Sequence, residues 1–330
     1  MTNSSLLFTS EGLSETLTTE GSADTTTSHS HQVKPHSDNI VLWFLLNIIS
    51  SIFILFTNSL TIIAVAVTPA LRTQPNMYIV SLASADILTG FYLLLEAAWT
   101  IPLSGDFFDT HREVCLLKYS VLYLSLLASM MTVISITVDK LLFLGTPFLH
   151  RRVITREITL VIIVISWIIS FLYASTVHFV DIFDESVGCQ IYNVLNQDFV
   201  FFGNTAPVAL VIIVTAVCYL EIIRIVAHQR RKIRAVNQLT EESNGSYQKS
   251  VRLFLTVIGV FVLCWCPFVV CGFVSYICCK DRNMHKALLH LALLNSGLNF
   301  FIYALKNKEF KVAFRRLLFD KCKPQESLNI

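Results

Sequence analysis

The sequence has few charged residues, which make up only 15% of its 330 positions. So little charge does not suit the surface of a water-soluble protein of this length. Its nine cysteines are too sparse for a disulfide scaffold and contain no C-x-x-C pair. A glycine-rich phosphate loop, a His-Glu-x-x-His motif and a Gly-x-Ser-x-Gly turn are also absent from the sequence, so nothing in it indicates an enzyme.

Hydrophobic residues, by contrast, make up 54% of the chain. A helix needs about 20 apolar residues to cross ~30 Å of hydrocarbon, so seven crossings would use roughly half the chain. Seven apolar runs are present, at 40–68, 75–102, 112–146, 157–181, 197–228, 249–279 and 284–305. The pattern predicts an all-α membrane protein in which residues 40–305 form a bundle of seven transmembrane helices within the lipid bilayer.

A polar segment precedes the first run. Residues 1–39 are rich in Ser, Thr and His and lack the apolar core of a cleavable signal peptide. They are predicted to form a disordered extracellular tail. Asn3 begins a glycosylation sequon, although such tripeptides also occur by chance.

Residues 306–330 follow the last run and begin with an amphipathic pattern. Its apolar face consists of Phe310, Phe314, Leu317 and Leu318. Basic residues lie opposite, which predicts a short helix on the membrane surface and then a cytoplasmic tail. Cys322 is either a palmitoylation site or a plain reduced thiol.

The distribution of Lys and Arg predicts the orientation. If the C-terminus is cytoplasmic, 19 of the 25 basic residues lie in cytoplasmic segments. Because membrane proteins retain Lys and Arg in their cytoplasmic loops, we expect a multi-pass plasma-membrane protein with its N-terminus outside and its C-terminus inside.

Nearly every run carries a polar, proline or tryptophan landmark. In chain order these are Asn58, Leu82-Ala83-Ser84-Ala85-Asp86, Asp139-Lys140-Leu141, Trp167, Pro207, Phe261-x-x-Cys264-Trp265-Cys266-Pro267 and Asn295-Ser296-Gly297-Leu298-Asn299-Phe300-Phe301-Ile302-Tyr303. One landmark alone would be a packing or kink residue. Their order and spacing together resemble the rhodopsin-like (class A) G-protein-coupled receptors. The resemblance implies an extracellular ligand, a heterotrimeric G protein and arrestin as partners. We do not expect nucleic acid to be a binding partner.

The resemblance also implies a sodium site in the middle of the bundle, and no other cofactor. The residues that would form it are Asp86, Ser129, Asn295, Ser296 and Asn299. A carboxylate with neutral oxygen ligands suits a hard cation. The alternative is a hydrogen-bonded polar cluster without an ion.

A disulfide is implied in the same way. Cys115 begins the third run and Cys189 precedes the fifth, both on the oxidising side in the predicted orientation. The resemblance pairs them. Cys278 and Cys279 lie near the same side, but the sequence cannot decide whether they form a second bridge.

The predicted signalling residues depart from the family at several positions, of which two bear most on signalling. The third run ends in Asp139-Lys140-Leu141 where the family has Asp-Arg-Tyr, and Pro147 then matches the family's proline. Lys140 keeps the positive charge of the arginine but lacks its planar fork. Phe300 replaces a proline between Asn299 and Tyr303, which restores a backbone donor. An atypical or decoy receptor with weak coupling is therefore an alternative. A seven-span transporter or channel is another, although repeated halves and glycine-rich midspan segments are not found.

By resemblance, a ligand pocket opens between the third, fifth, sixth and seventh spans. Its lining would be Leu122, Tyr123, Leu126, Phe199, Val200, Gly203, Trp265, Phe268, Val269, His290 and Leu293. At its floor, Trp265 would report the ligand to Phe261 beside the Pro267 kink. The alternative role of Trp265 is to fill space beside that proline.

The pocket residues argue against two ligand classes. The sixth and seventh spans resemble amine receptors, but Leu122 stands where an ammonium group would need a carboxylate. Leu293 stands where a retinal Schiff base would need a lysine. Glu96 on the second span could anchor a cationic ligand, or it could be paired internally with Lys118 or a histidine. Amine, peptide and lipid ligands all stay open.

Overall fold

The computed structural model describes residues 40–236, 242–277 and 282–319. Within these ranges the regular secondary structure is helical, which confirms the predicted all-α fold. The predictions for the N-terminal tail, Asn3, the Cys278 and Cys279 pair and Cys322 lie outside the described residues.

Among the described residues, seven helices are long and apolar enough to cross a membrane. They are Ile40–Val67, Gln74–Thr100, Arg112–Gly145, Arg156–Val180, Gln197–His228, Leu255–Ile277 and Asn283–Lys306, named here the first to the seventh span. Shorter helices between and after them are Pro102–Thr110, Pro147–Val153, Ile191–Val194 and Lys308–Phe319. A π-helical turn, Phe201–Thr205, lies inside the fifth span.

The first span shows how lipid reverses the usual pattern of a water-soluble helix. Ile49, Ile52 and Phe56 are exposed along one face. Thr57 and Asn58 are buried on the other. Hydrocarbon cannot hydrogen-bond a polar side chain, so polar residues turn inward and apolar ones face the lipid.

Local sequence sets several helix starts. Pro75, Pro102 and Pro147 each lie in a first helical turn, where the missing N–H of proline removes no helical hydrogen bond. Thr155 caps the fourth span, because its hydroxyl accepts a hydrogen bond from the Ile158 N–H at 3.4 Å.

Buried polar contacts fix how the spans face one another. Trp167 Nε1 on the fourth span donates to Ser81 Oγ on the second at 3.1 Å, and Ser81 also lies 3.1 Å from Thr132 Oγ1 on the third. Asn58 Nδ2 donates to the Ser296 carbonyl at 3.0 Å. These bonds help to set the rotation of the second, third and fourth spans relative to one another, and of the first span relative to the seventh.

A disulfide between Cys115 and Cys189 marks one end of the bundle, called here the disulfide end. The carboxylate of Asp109 supports the bridge, since its Oδ1 accepts from the Cys189 N–H at 2.7 Å and from Trp99 Nε1 at 2.9 Å. Gly188, next to Cys189, has a φ of +78°. Residues with a side chain rarely adopt this backbone conformation.

The helix Lys308–Phe319 lies at the opposite end. Its Phe310 stacks on Tyr303 with ring centroids 5.4 Å apart, and Phe314 lies 4.5 Å from the ring of Phe300. The predicted apolar face therefore packs in part against the seventh span. Phe300, the residue in place of proline, forms part of that contact.

Candidate functional site

Most of the predicted pocket residues meet in one buried cluster at the disulfide end. It contains Leu122, Tyr123, Leu126, Val200, Trp265, Phe268, Val269 and Leu293, with Phe199 packed against it. The carbonyl of Gly203 accepts a hydrogen bond from the Tyr173 hydroxyl. His290 instead faces the first span, where its Nε2 lies 3.0 Å from Ser50 Oγ and its ring meets the edge of Trp43.

The hydroxyl of Tyr123 is the unpaired polar group of this cluster. It is buried and has no hydrogen-bond partner among the described residues. The ring lies 6.0 Å from Tyr173 and 5.9 Å from Phe199, centroid to centroid. Leaving a buried hydroxyl unpaired costs about 1–3 kcal/mol, which a hydrogen-bonding ligand would recover.

His285 is a site residue that sequence reasoning missed. It is buried, and its ring lies 4.8 Å from Phe268 and 5.5 Å from Tyr192. The sequence contained a signal for this placement. Residues eight positions apart lie on the same face of a helix, and His285 precedes the predicted pocket residue Leu293 by eight positions.

Glu96 is paired within the protein. Its Oε2 lies 3.1 Å from Lys118 Nζ on the third span, and its Oε1 lies 3.5 Å from Lys286 Nζ on the seventh. The sequence suggested Lys118 or a histidine as the partner of Glu96. Among the described residues, Lys118 is paired with Glu96 and no histidine is. Lys286 was not anticipated.

Aromatic rings on the sixth span connect the pocket cluster with the middle of the bundle. Trp265 lies 5.8 Å from Phe268 towards the disulfide end and 6.0 Å from Phe261 on the other side. Pro267 lies inside this helix, where it removes one backbone hydrogen bond. The rings of Phe268, Trp265 and Phe261 thus form a continuous column.

Polar residues collect around Asp86 below this column. Asn299 Nδ2 donates to Asp86 Oδ2 at 3.1 Å. Three buried oxygens have no hydrogen-bond donor among the residues that the structure describes: Asp86 Oδ1, Asn295 Oδ1 and Asn299 Oδ1. Ser296 on the seventh span is buried, and Ser129 on the third span is half-buried. Buried carboxylate and amide oxygens of this kind are suitable ligands for a hard cation such as sodium.

The third span ends in a second group of contacts. Lys140 Nζ lies 2.8 Å from Asp139 Oδ2, and His150 Nε2 lies 2.9 Å from Asp139 Oδ1. Pro147 begins the short helix that carries His150, whose ring also meets Phe143 at 5.2 Å. Sequence reasoning missed His150, although it lies one turn beyond the singled-out proline.

The family model for the seven-transmembrane receptors of the rhodopsin family matches residues 57–303. The chain belongs to this family. It is therefore a G-protein-coupled receptor of the plasma membrane with an extracellular ligand and a G protein as partners, and not an enzyme.

The sequence is similar to those of several adenosine receptors. It is 28% identical to the adenosine receptor A3 of Ovis aries over 287 residues, which cover 82% of this chain and 88% of the relative. Identity to the adenosine receptor A2a of Homo sapiens is 25% over 284 residues, covering 79% and 68% of the two chains.

Proposed function

We propose that this receptor binds a small extracellular ligand between its third, fifth, sixth and seventh spans and transmits that binding to a heterotrimeric G protein. The observation that carries the proposal is the unpaired, buried hydroxyl of Tyr123. It lies in the same aromatic cluster as Trp265, so a ligand bound there would press on the column that leads to Phe261.

In this proposal the disulfide end faces outside and the Asp139 end faces the cytoplasm. The excess of Lys and Arg in the segments on the Asp139 side supports this orientation. Asp139, Lys140 and Pro147 would contact the G protein, with Pro267, Asn299 and Tyr303 moving between the ends. Arrestin would bind the same cytoplasmic face.

The names of the relatives make adenosine the first compound to test. Leu122 is buried where the amine receptors have a carboxylate. Amines, peptides and lipids belong in the same screen.

We also propose that sodium binds between the second and seventh spans. Asp86, Asn295 and Asn299 would supply oxygens from their unpaired atoms, with Ser129 and Ser296 completing the set. A bound cation would hold these spans in the resting arrangement and modulate the affinity for agonist.

G-protein sensors in cells expressing the receptor test the signalling proposal. Adenosine and a mixed amine, peptide and lipid library are applied to wild type, Tyr123→Phe and Lys140→Arg. We expect Tyr123→Phe to raise the half-maximal concentration of the active ligand about tenfold, because one hydrogen bond is lost. Lys140→Arg should raise the maximal response, since arginine restores the fork that contacts the G protein.

Tyr119→Phe is the matched control. Its hydroxyl donates to the Cys189 carbonyl at 3.1 Å, so its loss should leave ligand potency unchanged. A response in Lys140→Arg alone would place the defect in coupling. Silence from every form at the cell surface would contradict the signalling proposal and support the decoy alternative.

A further inference from the structure

Two tryptophans and a carboxylate surround the ammonium group of Lys286. Its Nζ lies 4.9 Å from the ring centroid of Trp43 and 5.7 Å from that of Trp99. The same Nζ lies 3.5 Å from Glu96 Oε1. Trp43, Trp99 and Glu96 belong to the first and second spans, and Lys286 reaches them from the seventh. We call Trp43, Trp99 and Glu96 the cation box.

The cation box is chemically complete without Lys286. The face of an indole ring attracts a cation through its quadrupole, and tryptophan does so best among the aromatic side chains. Two indole rings beside a carboxylate therefore select an ammonium or guanidinium group. Nothing in that selection requires the cation to come from this chain.

The neighbouring charges have partners of their own. Lys118 Nζ lies 3.1 Å from the other oxygen of Glu96, donates to the Cys189 carbonyl at 3.3 Å and lies 4.6 Å from the Trp99 ring centroid. Asp109 accepts from Trp99 Nε1 and from the Cys189 N–H. If Lys286 left, Glu96 would still be paired with Lys118, so no buried charge would be stranded.

Accessibility separates the two lysines. The side chain of Lys118 is 0% exposed, whereas that of Lys286 is 33% exposed. Lys286 lies near the start of its helix, which begins at Arg282 at the disulfide end. Its long stem can carry the ammonium group into water, where the charge is solvated at little cost. Lys286 is thus the replaceable cation.

We propose that the cation box is a subsite for the ammonium or guanidinium group of the ligand, and that Lys286 occupies it until the ligand displaces it. The inference deepens the proposed receptor function, because it names the chemical group that the ligand must carry. It also supplies a carboxylate to a receptor that has Leu122 in the third span. Displacement breaks the contact of Lys286 with Glu96, one of the contacts between the seventh and second spans, and this links the subsite to the rest of the bundle.

Direct binding of tetramethylammonium to the purified full-length receptor in nanodiscs tests the inference. Tryptophan fluorescence is followed at constant ionic strength, maintained with sodium chloride. Lys286→Met empties the cation box while retaining the Lys118 pair. We expect its half-saturating concentration to be about tenfold lower than that of wild type, because the tethered competitor is gone.

Lys286→Arg is the matched control and should bind the probe no better than wild type, since it keeps a tethered cation. Two double variants should lose the tighter probe binding that is expected of Lys286→Met. They combine Lys286→Met with Glu96→Gln or with Trp43→Phe. Thermal unfolding of each variant shows that it is folded.

Equal binding by wild type and Lys286→Met would overturn the inference, as would a gain that persists in both double variants. The measurement uses no G protein. A receptor that does not signal can still show the gain, and a signalling receptor can lack it, so the two proposals fail separately.

Discussion

Gly297 marks a close approach of the seventh span to the first. A Cβ atom at this position would overlap the ring of Phe53, which itself stacks on Phe301 at 5.9 Å. We expect Gly297→Ala to lower the free energy of unfolding by about 1–3 kcal/mol, because extra volume in a packed interface forces neighbours to move. Thermal unfolding in nanodiscs measures the effect.

Gly259→Ala is the control at the same scale. A Cβ atom at Gly259 would meet no atom within 4 Å. Alanine also favours helix over glycine, so this variant should be as stable as wild type or more stable. A similar loss in both variants would show that the packing at Phe53 is not the cause.

Among the elements, Arg112 at the start of the third span contacts Asp181, which directly follows the fourth span at the disulfide end. Arg112 Nε donates to Asp181 Oδ1 at 3.0 Å and its Nη2 to Oδ2 at 2.5 Å. Partial burial acts to raise the pKa of the Asp181 carboxyl, but the hydrogen bonds and charge of Arg112 outweigh it, so the pKa lies below its ordinary value. The carboxylate is thereby stabilised in the folded state.

Because the folded pKa is lowered, Asp181 stabilises the protein above its unfolded pKa, and that contribution disappears as pH falls through the folded pKa. We expect Asp181→Asn to lower the melting temperature at pH 7. The difference from wild type should shrink below about pH 4, the ordinary pKa of an aspartate. A difference that stays constant over this range would show that the Arg112 contact does not depend on charge.

The amphipathic helix Lys308–Phe319 shows a limit of pattern reasoning about an element. The spacing of its apolar residues predicted the helix and its apolar face. It did not show that Phe310 and Phe314 would be buried against the seventh span while Leu318 stays exposed. Hydrophobic periodicity identifies a face but not what covers it.

At the scale of the whole molecule, the proposed sodium ion would join the second and seventh spans through Asp86 and Asn299. A ligand that binds only the folded state stabilises it by mass action. We expect wild type to melt at a higher temperature in sodium chloride than in potassium chloride of equal ionic strength. The free energy of unfolding should rise by about 1 kcal/mol when the sodium concentration is about ten times the dissociation constant. Asp86→Asn should lose this difference between the salts. An equal difference in both proteins would contradict a sodium site at Asp86.

The sequence by itself determined the seven spans, because the bilayer fixes both the length and the hydropathy of a crossing helix. It also determined the family, since the landmarks recur in a set order, and the disulfide pair followed from that resemblance. These are properties of one segment at a time or of motif order, and neither requires knowing how each helix is rotated.

Only the tertiary structure decided which polar groups meet. Glu96 bonds lysines from the third and seventh spans, and His150 reaches Asp139 from a different helix. His290 turns to the first span, away from the predicted lining, while His285 meets Phe268. Such contacts depend on the rotation of each helix about its axis, which is set by the packing of all its neighbours and not by its own residues.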